Sequence, residues 1–423
     1  MTAMLNKFFL PLGFTLLALN ACASSQIKLE LQSSPSINQG LKYLEQEQFG
    51  LAVDVFTEII ADDAEDAEAW LNRGLAYYGL RLHEQANADF EKAFESGFEP
   101  TSADMFVKRG RAYSIGGNFE RALEDFNEAI SIAPNHSEAY LRRGHVYTSL
   151  GEILLAISDL DQAIALDRSS ALAYQKRGFA KAQLEDYDGA IADFDTAVAL
   201  DPQFTQAYFD RATAYTELGD FGKAIADHDR VLELDPQNVL AYYNRAKAYD
   251  DQDDLEQAIR DYTRAIQIFP DFSTALYNRG NAYLRSEQYQ LAIADYERAI
   301  ALDPEFGGTY VNRGNAYDKV GEYGLAIADF NRALELNPQR FLAYYNRGIT
   351  YRNLGDLEKA IDDWTQVIFL RPEEASAYFY RGLTYNELDE SERAFADLKM
   401  AMNLGLDPEF IQAAEDILEQ LDS

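Results

Sequence analysis

The sequence predicts an all-α chain, an α-solenoid of antiparallel helix pairs closed by a C-terminal capping helix. Three observations carry the prediction: a self-similarity with a period of 34 residues, small and aromatic residues alternating at fixed offsets inside each period, and apolar residues at helical spacing on both sides of a short turn. A length of 423 residues would otherwise suggest two or three globular domains, an expectation that an internal repeat removes. Charged residues at 26% and apolar ones at 47% suit a folded chain and exclude a disordered one.

Residues 1–21 carry one charge, Lys7, followed by an apolar run from Phe8 to Leu19. That run is long enough for a signal peptide and too short to span a bilayer, so the segment reads as an address. Cys22 is the only cysteine, which rules out an intrachain disulfide and leaves stability to packing. Residues 22–32 read as a tether.

The repeats follow. Arginine before a small residue recurs from Arg73-Gly74 through Arg211-Ala212 to Arg381-Gly382, at 34-residue steps apart from one of 36 between Gly74 and Gly110. Stepping back 34 from Gly74 reaches Gly40 and makes eleven units: 33–66, 67–102, 103–136, 137–170, 171–204, 205–238, 239–272, 273–306, 307–340, 341–374 and 375–408. An alanine stands twelve residues after the small position in all eleven, from Ala52 to Ala394. Tyrosines such as Tyr249 and Tyr283 lie between these markers, and Phe194, Tyr262, Tyr296, Phe330 and Trp364 follow them. Proline closes most units, as at Pro236 and Pro304, where it cannot continue a helix. Turns such as Leu218-Gly219-Asp220 join two apolar-periodic helices per unit. No unit buries its apolar face alone, so neighbours must stack.

Arg245, Arg279 and Arg313 each precede an aspartate by sixteen residues, Asp261, Asp295 and Asp329, a spacing that predicts bridges between the two helices of a hairpin and a scaffold role. Residues 409–423 place Phe410, Ala413, Ala414, Ile417, Leu418 and Leu421 on one helical face, which predicts a cap on the last hairpin.

The pattern of aromatic, small, Tyr, Ala, Phe and Pro resembles the tetratricopeptide repeat over residues 33–408. The resemblance implies a right-handed superhelix with a long inner wall. Departures are Lys181 for Tyr, His228 for Phe, Leu160 and Leu398 for another aromatic and Arg168 for Pro; they read as local softness in the fourth to sixth units. Leu19-Asn20-Ala21-Cys22 resembles the lipobox of bacterial lipoproteins, which implies diacylglycerol on the Cys22 sulfur and cleavage before it. Ala23 in place of Asp then implies an outer-membrane lipoprotein facing the periplasm, or a membrane-anchored cell-surface protein where there is no outer membrane. Ala21-Cys22-Ala23 also fits an ordinary signal-peptidase site, which would release a soluble periplasmic or secreted protein.

Catalytic chemistry finds no support. His83, His136, His145 and His228 fall in different units without metal-ligand spacing and read as surface or filler residues. No phosphate-cradling glycine loop and no nucleophile elbow is present, so neither a metal nor a cofactor is expected and the chain does not read as an enzyme. The net charge of −34 disfavours nucleic acid and anionic membrane surfaces, leaving the N-terminal lipid as the membrane contact.

One row stands out. Asn72 and then Asn244, Asn278, Asn312 and Asn346 precede the arginine at 34-residue spacing, with Phe209, Tyr243, Tyr277, Tyr345 and Phe379 one residue earlier and Asn281 and Asn315 one turn on. In the family this position lines the inner wall, where asparagine amides can hold a peptide backbone without demanding a sequence. The expected site is therefore a peptide groove of Asn244, Asn278, Asn312, Asn346, Asn281, Asn315, Tyr243, Tyr277 and Tyr345. Lys247 and Lys319 lie among Asp250, Asp251 and Asp318, so the family's carboxylate clamp is poorly matched there and a neutral or basic extended segment is expected. The implied function is a non-catalytic protein–protein interaction scaffold of the cell envelope that binds extended peptides or protein partners. The alternative is a regulatory or substrate-recruiting subunit of a glycosyltransferase or cell-wall hydrolase complex with catalysis on another chain. Self-association is a third reading, because Ser36 and Gln39 leave the first unit incomplete.

Overall fold

Each repeat builds a first helix, ends it in a left-handed turn, and starts a second helix at once. In the hairpin Thr205–Glu217 and Phe221–Leu234, Gly219 takes φ 75°, and the Asp220 amide donates to the Tyr215 carbonyl at 2.9 Å, closing the first helix. The Asp220 side chain then accepts from the Lys223 amide and opens the second. The same left-handed position recurs at Gly151, Gly321 and Gly355, and at the non-glycine residues Glu47, Arg81, Glu185, Asp253, Glu287 and Asp389.

The structure is a computed structural model that describes residues 36–421. The signal peptide, the lipidation residue Cys22 and the tether lie outside the described residues. Among those described there are 23 helices and no strand. Two compact units are present. The first holds four hairpins, from Ile37–Glu45 to Ile153–Leu166, and the second seven, from Ala171–Gln183 to Ser391–Asn403, followed by the single helix Pro408–Leu421. Within each unit a first helix packs most extensively on the second helix of its own hairpin, and that helix packs on the next first helix. This is the all-α array of antiparallel pairs with a terminal cap that the sequence predicts.

The core follows the marker residues. Phe56, Phe126, Phe194, Tyr262, Tyr296, Phe330 and Trp364 have no solvent exposure, and neither do the alanines from Ala52 to Ala394. The small positions exist because of those rings: a Cβ on Gly280 would lie 2.6 Å from the Tyr296 ring, and one on Gly178 2.7 Å from Phe194. One expectation needs correction, in the cap, and one is narrowed. Of the surface and filler readings, His228 takes the second. It is fully buried in the aromatic slot, edge-on to Phe209 at 5.5 Å, with both ring nitrogens lacking a partner. In the cap, Ala414 and Leu418 are buried, whereas Ala413 is exposed.

Candidate functional site

Successive first helices touch directly in the second unit, as Gly307–Lys319 does Ser273–Arg285 and Phe341–Leu354. In two repeats the asparagine one residue before the arginine meets side chains of the preceding repeat. Asn278 donates its amide to the Tyr243 hydroxyl at 3.0 Å, and Asn312 donates to the Tyr277 hydroxyl at 3.1 Å and to Asn281 Oδ1 at 2.8 Å. Tyr296, buried beneath, donates its hydroxyl to the same Asn281 oxygen at 2.8 Å. Each of these amides stitches one repeat to the next.

The remaining asparagines are arranged differently. Asn244, Asn315 and Asn346 are half-buried, and their side chains form no hydrogen bond with another described residue. The cause is readable at the position 35 residues earlier: Asn278 and Asn312 find Tyr243 and Tyr277 there, while Asn244 and Asn346 find Phe209 and Val311, which have no hydroxyl. The same spacing takes other chemistry at Gln175, whose amide donates to Asp210 at 2.5 Å. Burial raises the Asp210 pKa, against the hydrogen bonds from Gln175 and Gln206.

The tyrosines are half-buried among rings. Tyr243 lies 4.9 Å from Phe272 and 5.9 Å from Tyr262, Tyr277 meets Phe306 edge-on at 5.2 Å, and Tyr345 meets Tyr380 edge-on at 5.8 Å. Burial pushes the Tyr243 hydroxyl's pKa up, so it stays protonated. Two residues expected in the row face elsewhere. Asn72 is fully buried, its amide donating to the Glu68 carbonyl of its own helix, and Phe379 is 2% exposed because it stacks on Phe410 of the terminal helix at 5.0 Å.

Beside this row runs the arginine ladder. Arg245 donates Nε and Nη2 to Asp261 at 2.6 and 2.7 Å and Nη1 to Asp229 of the preceding hairpin at 2.5 Å. Arg211 joins Asp227 and Asp195 in the same way, and Arg279 joins Asp295 and Thr263. The guanidinium also lies over tyrosines, 5.7 Å from both Tyr310 and Tyr317 in the case of Arg313. The bridge sixteen residues ahead was visible in the sequence spacing; the partner sixteen behind, a varying Asp, Asn or Thr, was not. This ladder ties each arginine to its own hairpin and, in most repeats, to the preceding one. Among the described residues no cluster of His, Cys, Asp and Glu could hold a metal.

Sequence profiles of the tetratricopeptide repeat match residues 37–100, 103–136, 137–170, 171–204, 239–272, 273–306, 309–340 and 341–374, and a TPR repeat profile matches 212–253. The chain belongs to the tetratricopeptide repeat family. No curated protein matches it significantly. Among solved structures, the crystal structure of MamA is similar at 25% identity over 39% of this chain and 91% of that one, with a TM-score of 0.37. YrrB, described as a TPR protein with an unusual peptide-binding site, is 26% identical over 45% of this chain and 97% of its own, with a TM-score of 0.38. A tetratricopeptide repeat protein from Parabacteroides merdae is 21% identical over 60% and 99%, with a TM-score of 0.47. Membership of this repeat family makes the chain a protein-interaction scaffold.

Proposed function

We propose that this scaffold is non-catalytic and acts in the cell envelope, anchored through a lipid on Cys22, and that it holds extended segments of other proteins along the first helices of the second unit. The observation that carries the reading is the split in the asparagine row. Asn278 and Asn312 are tied into the repeat interface, while Asn244, Asn315 and Asn346 offer donors and an acceptor at half-buried positions beside aromatic rings. An extended peptide has one donor and one acceptor per residue and needs such groups to replace the water it loses.

The test is an affinity capture of the membrane-extracted protein, read by mass spectrometry, with Asn244→Ala/Asn346→Ala set beside Asn278→Ala/Asn312→Ala. The first pair is expected to lose partners without loss of stability, each lost hydrogen bond costing about 1 kcal/mol or a factor of roughly five in affinity. The second pair is expected to lower stability. Unchanged partners in the first pair would move binding off this face. The mature N-terminus is read in the same run: an acylated Cys22 supports the anchor, and an unmodified Ser24 removes it.

A further inference from the structure

In a chain of net charge −34, one recess of the first unit is lined without a single carboxylate. It has a volume of about 250 Å³ and lies where the first helices Ala67–Gly79, Ala103–Ile115 and Ser137–Leu150 meet. Arg111, Arg142 and His145 supply its polar wall together with Ser114 and Ser149, and Phe119 and Phe126 supply apolar surface.

The two arginines differ from the ladder beside them. Arg109 gives Asp125 a two-pronged bond and donates its third nitrogen to the Phe98 carbonyl. Arg111, two residues on and half-buried, makes neither a hydrogen bond nor an ion pair with any described residue. Arg142 uses Nε for Glu138 of its own helix at 2.7 Å, which leaves its terminal nitrogens for the recess. The Arg111 pKa is lowered, first by burial and then by the charge of Arg142, with the Glu138 carboxylate and Tyr78 acting the other way. Arg111 has no ion pair of its own and the one carboxylate nearby, Glu138, is bound by Arg142, so an anion placed between the two arginines lowers the cost of burying them.

The donor set indicates which anion. A carboxylate offers two oxygens and one charge. The Arg111 guanidinium, the terminal nitrogens of Arg142 and the Ser114 hydroxyl line the recess with more donors and more charge than it can use, whereas a phosphoryl group has three terminal oxygens and nearly two charges. The phenyl rings at the floor suit an ester substituent.

We propose that this recess binds a phosphomonoester dianion, with Arg111 and Arg142 as its two charge-bearing ligands. The site lies in the first unit and stands independently of the asparagine row of the second.

The experiment is calorimetric titration of the full chain with inorganic phosphate, phenyl phosphate, a phosphotyrosine pentapeptide and benzoate, repeated on Arg111→Gln and Arg142→Gln. Phenyl phosphate is expected to bind the unmodified protein and to lose at least roughly tenfold in affinity in either variant, with benzoate binding weakly throughout. Tighter binding of the phosphopeptide than of phenyl phosphate assigns the group to a partner segment; inorganic phosphate binding as tightly as phenyl phosphate would overturn the ester. Arg111→Gln is expected to melt no lower than the unmodified protein, since Arg111 has no partner to lose, and phosphate is expected to raise the melting temperature only where Arg111 is present. Phosphate esters that bind the variants as well as the unmodified protein, that fail to bind at about 10 mM, or that bind no better than benzoate would overturn the proposal.

Discussion

At the scale of single residues, the arginine ladder is the most demanding feature, because each aspartate it holds sixteen residues ahead is almost wholly buried. Asp295 is 4% exposed and meets Arg279 at 2.6 and 2.7 Å. Removing the arginine alone strands a carboxylate in the interior, so Arg279→Ala is expected to cost about 3 kcal/mol, seen as lost hydrogen-exchange protection across 273–302. The paired change Arg279→Met/Asp295→Leu should cost less than the single one, and the reverse order would show that the carboxylate is solvated. His228 makes a prediction of the opposite kind. Burial, then the charge of Arg245, lowers its pKa from 6.5 to about 4. The unfolded chain takes up this proton as pH falls through 6.5 and the folded chain only near 4, so this group's effect on stability is absent at pH 7 and increasingly unfavourable below 6.5. His228→Phe should therefore lose roughly 1.2 kcal/mol less than the unmodified protein between pH 7 and pH 5.5 in urea unfolding. Equal losses in the two proteins would mean that His228 does not titrate on unfolding.

At the scale of helices and turns, most of the molecule was legible in the sequence, because each marker answers one local requirement. The small residue before Tyr296 or Phe194 is where a Cβ would strike a ring, and Ala in second helices such as Ala190 is where the first helix comes closest to the second helix's backbone. What could not be read from spacing alone was any contact whose partner identity varies. The Asn278–Tyr243 bond exists because a hydroxyl stands 35 residues earlier, and Asn244 lacks one only because Phe209 does. The recess at Arg111 draws on three repeats at positions that carry no marker, so its residues look ordinary until the first helices are laid together. The left-handed turn gives the prediction proper to this scale. Glu287 holds φ 59° where Gly219 and Gly321 stand in sister repeats. An L-residue there costs about 1–2 kcal/mol, partly offset by the extra chain entropy glycine loses. Glu287→Gly should stabilise its hairpin by about 0.5–1 kcal/mol, and a lower melting temperature would show that the side chain contributes something the backbone does not.

At the scale of the whole chain, stability within each unit is distributed along a line: each hairpin answers to its neighbours and to nothing further away. The terminal helix Pro408–Leu421 is then a local cover. It seals Phe379, Leu398 and Leu406, which are buried with Ala414 and Leu418 in one cluster, and it turns Glu415, Asp416 and Glu419 to solvent. Deleting it uncovers the apolar flank of Ala375–Glu387 and Ser391–Asn403 and no other hairpin. Burying several such side chains contributes about 1.5–3 kcal/mol each, more than a single 34-residue hairpin can lose and stay folded. A chain ending at Leu406 is therefore expected to lose hydrogen-exchange protection in 375–403 and to self-associate through the exposed flank in light scattering, while protection in 37–166 stays as it was. Loss spread evenly over all hairpins would mean that the array unfolds as one cooperative block, and the energetics would then be those of a globular domain despite the repeat.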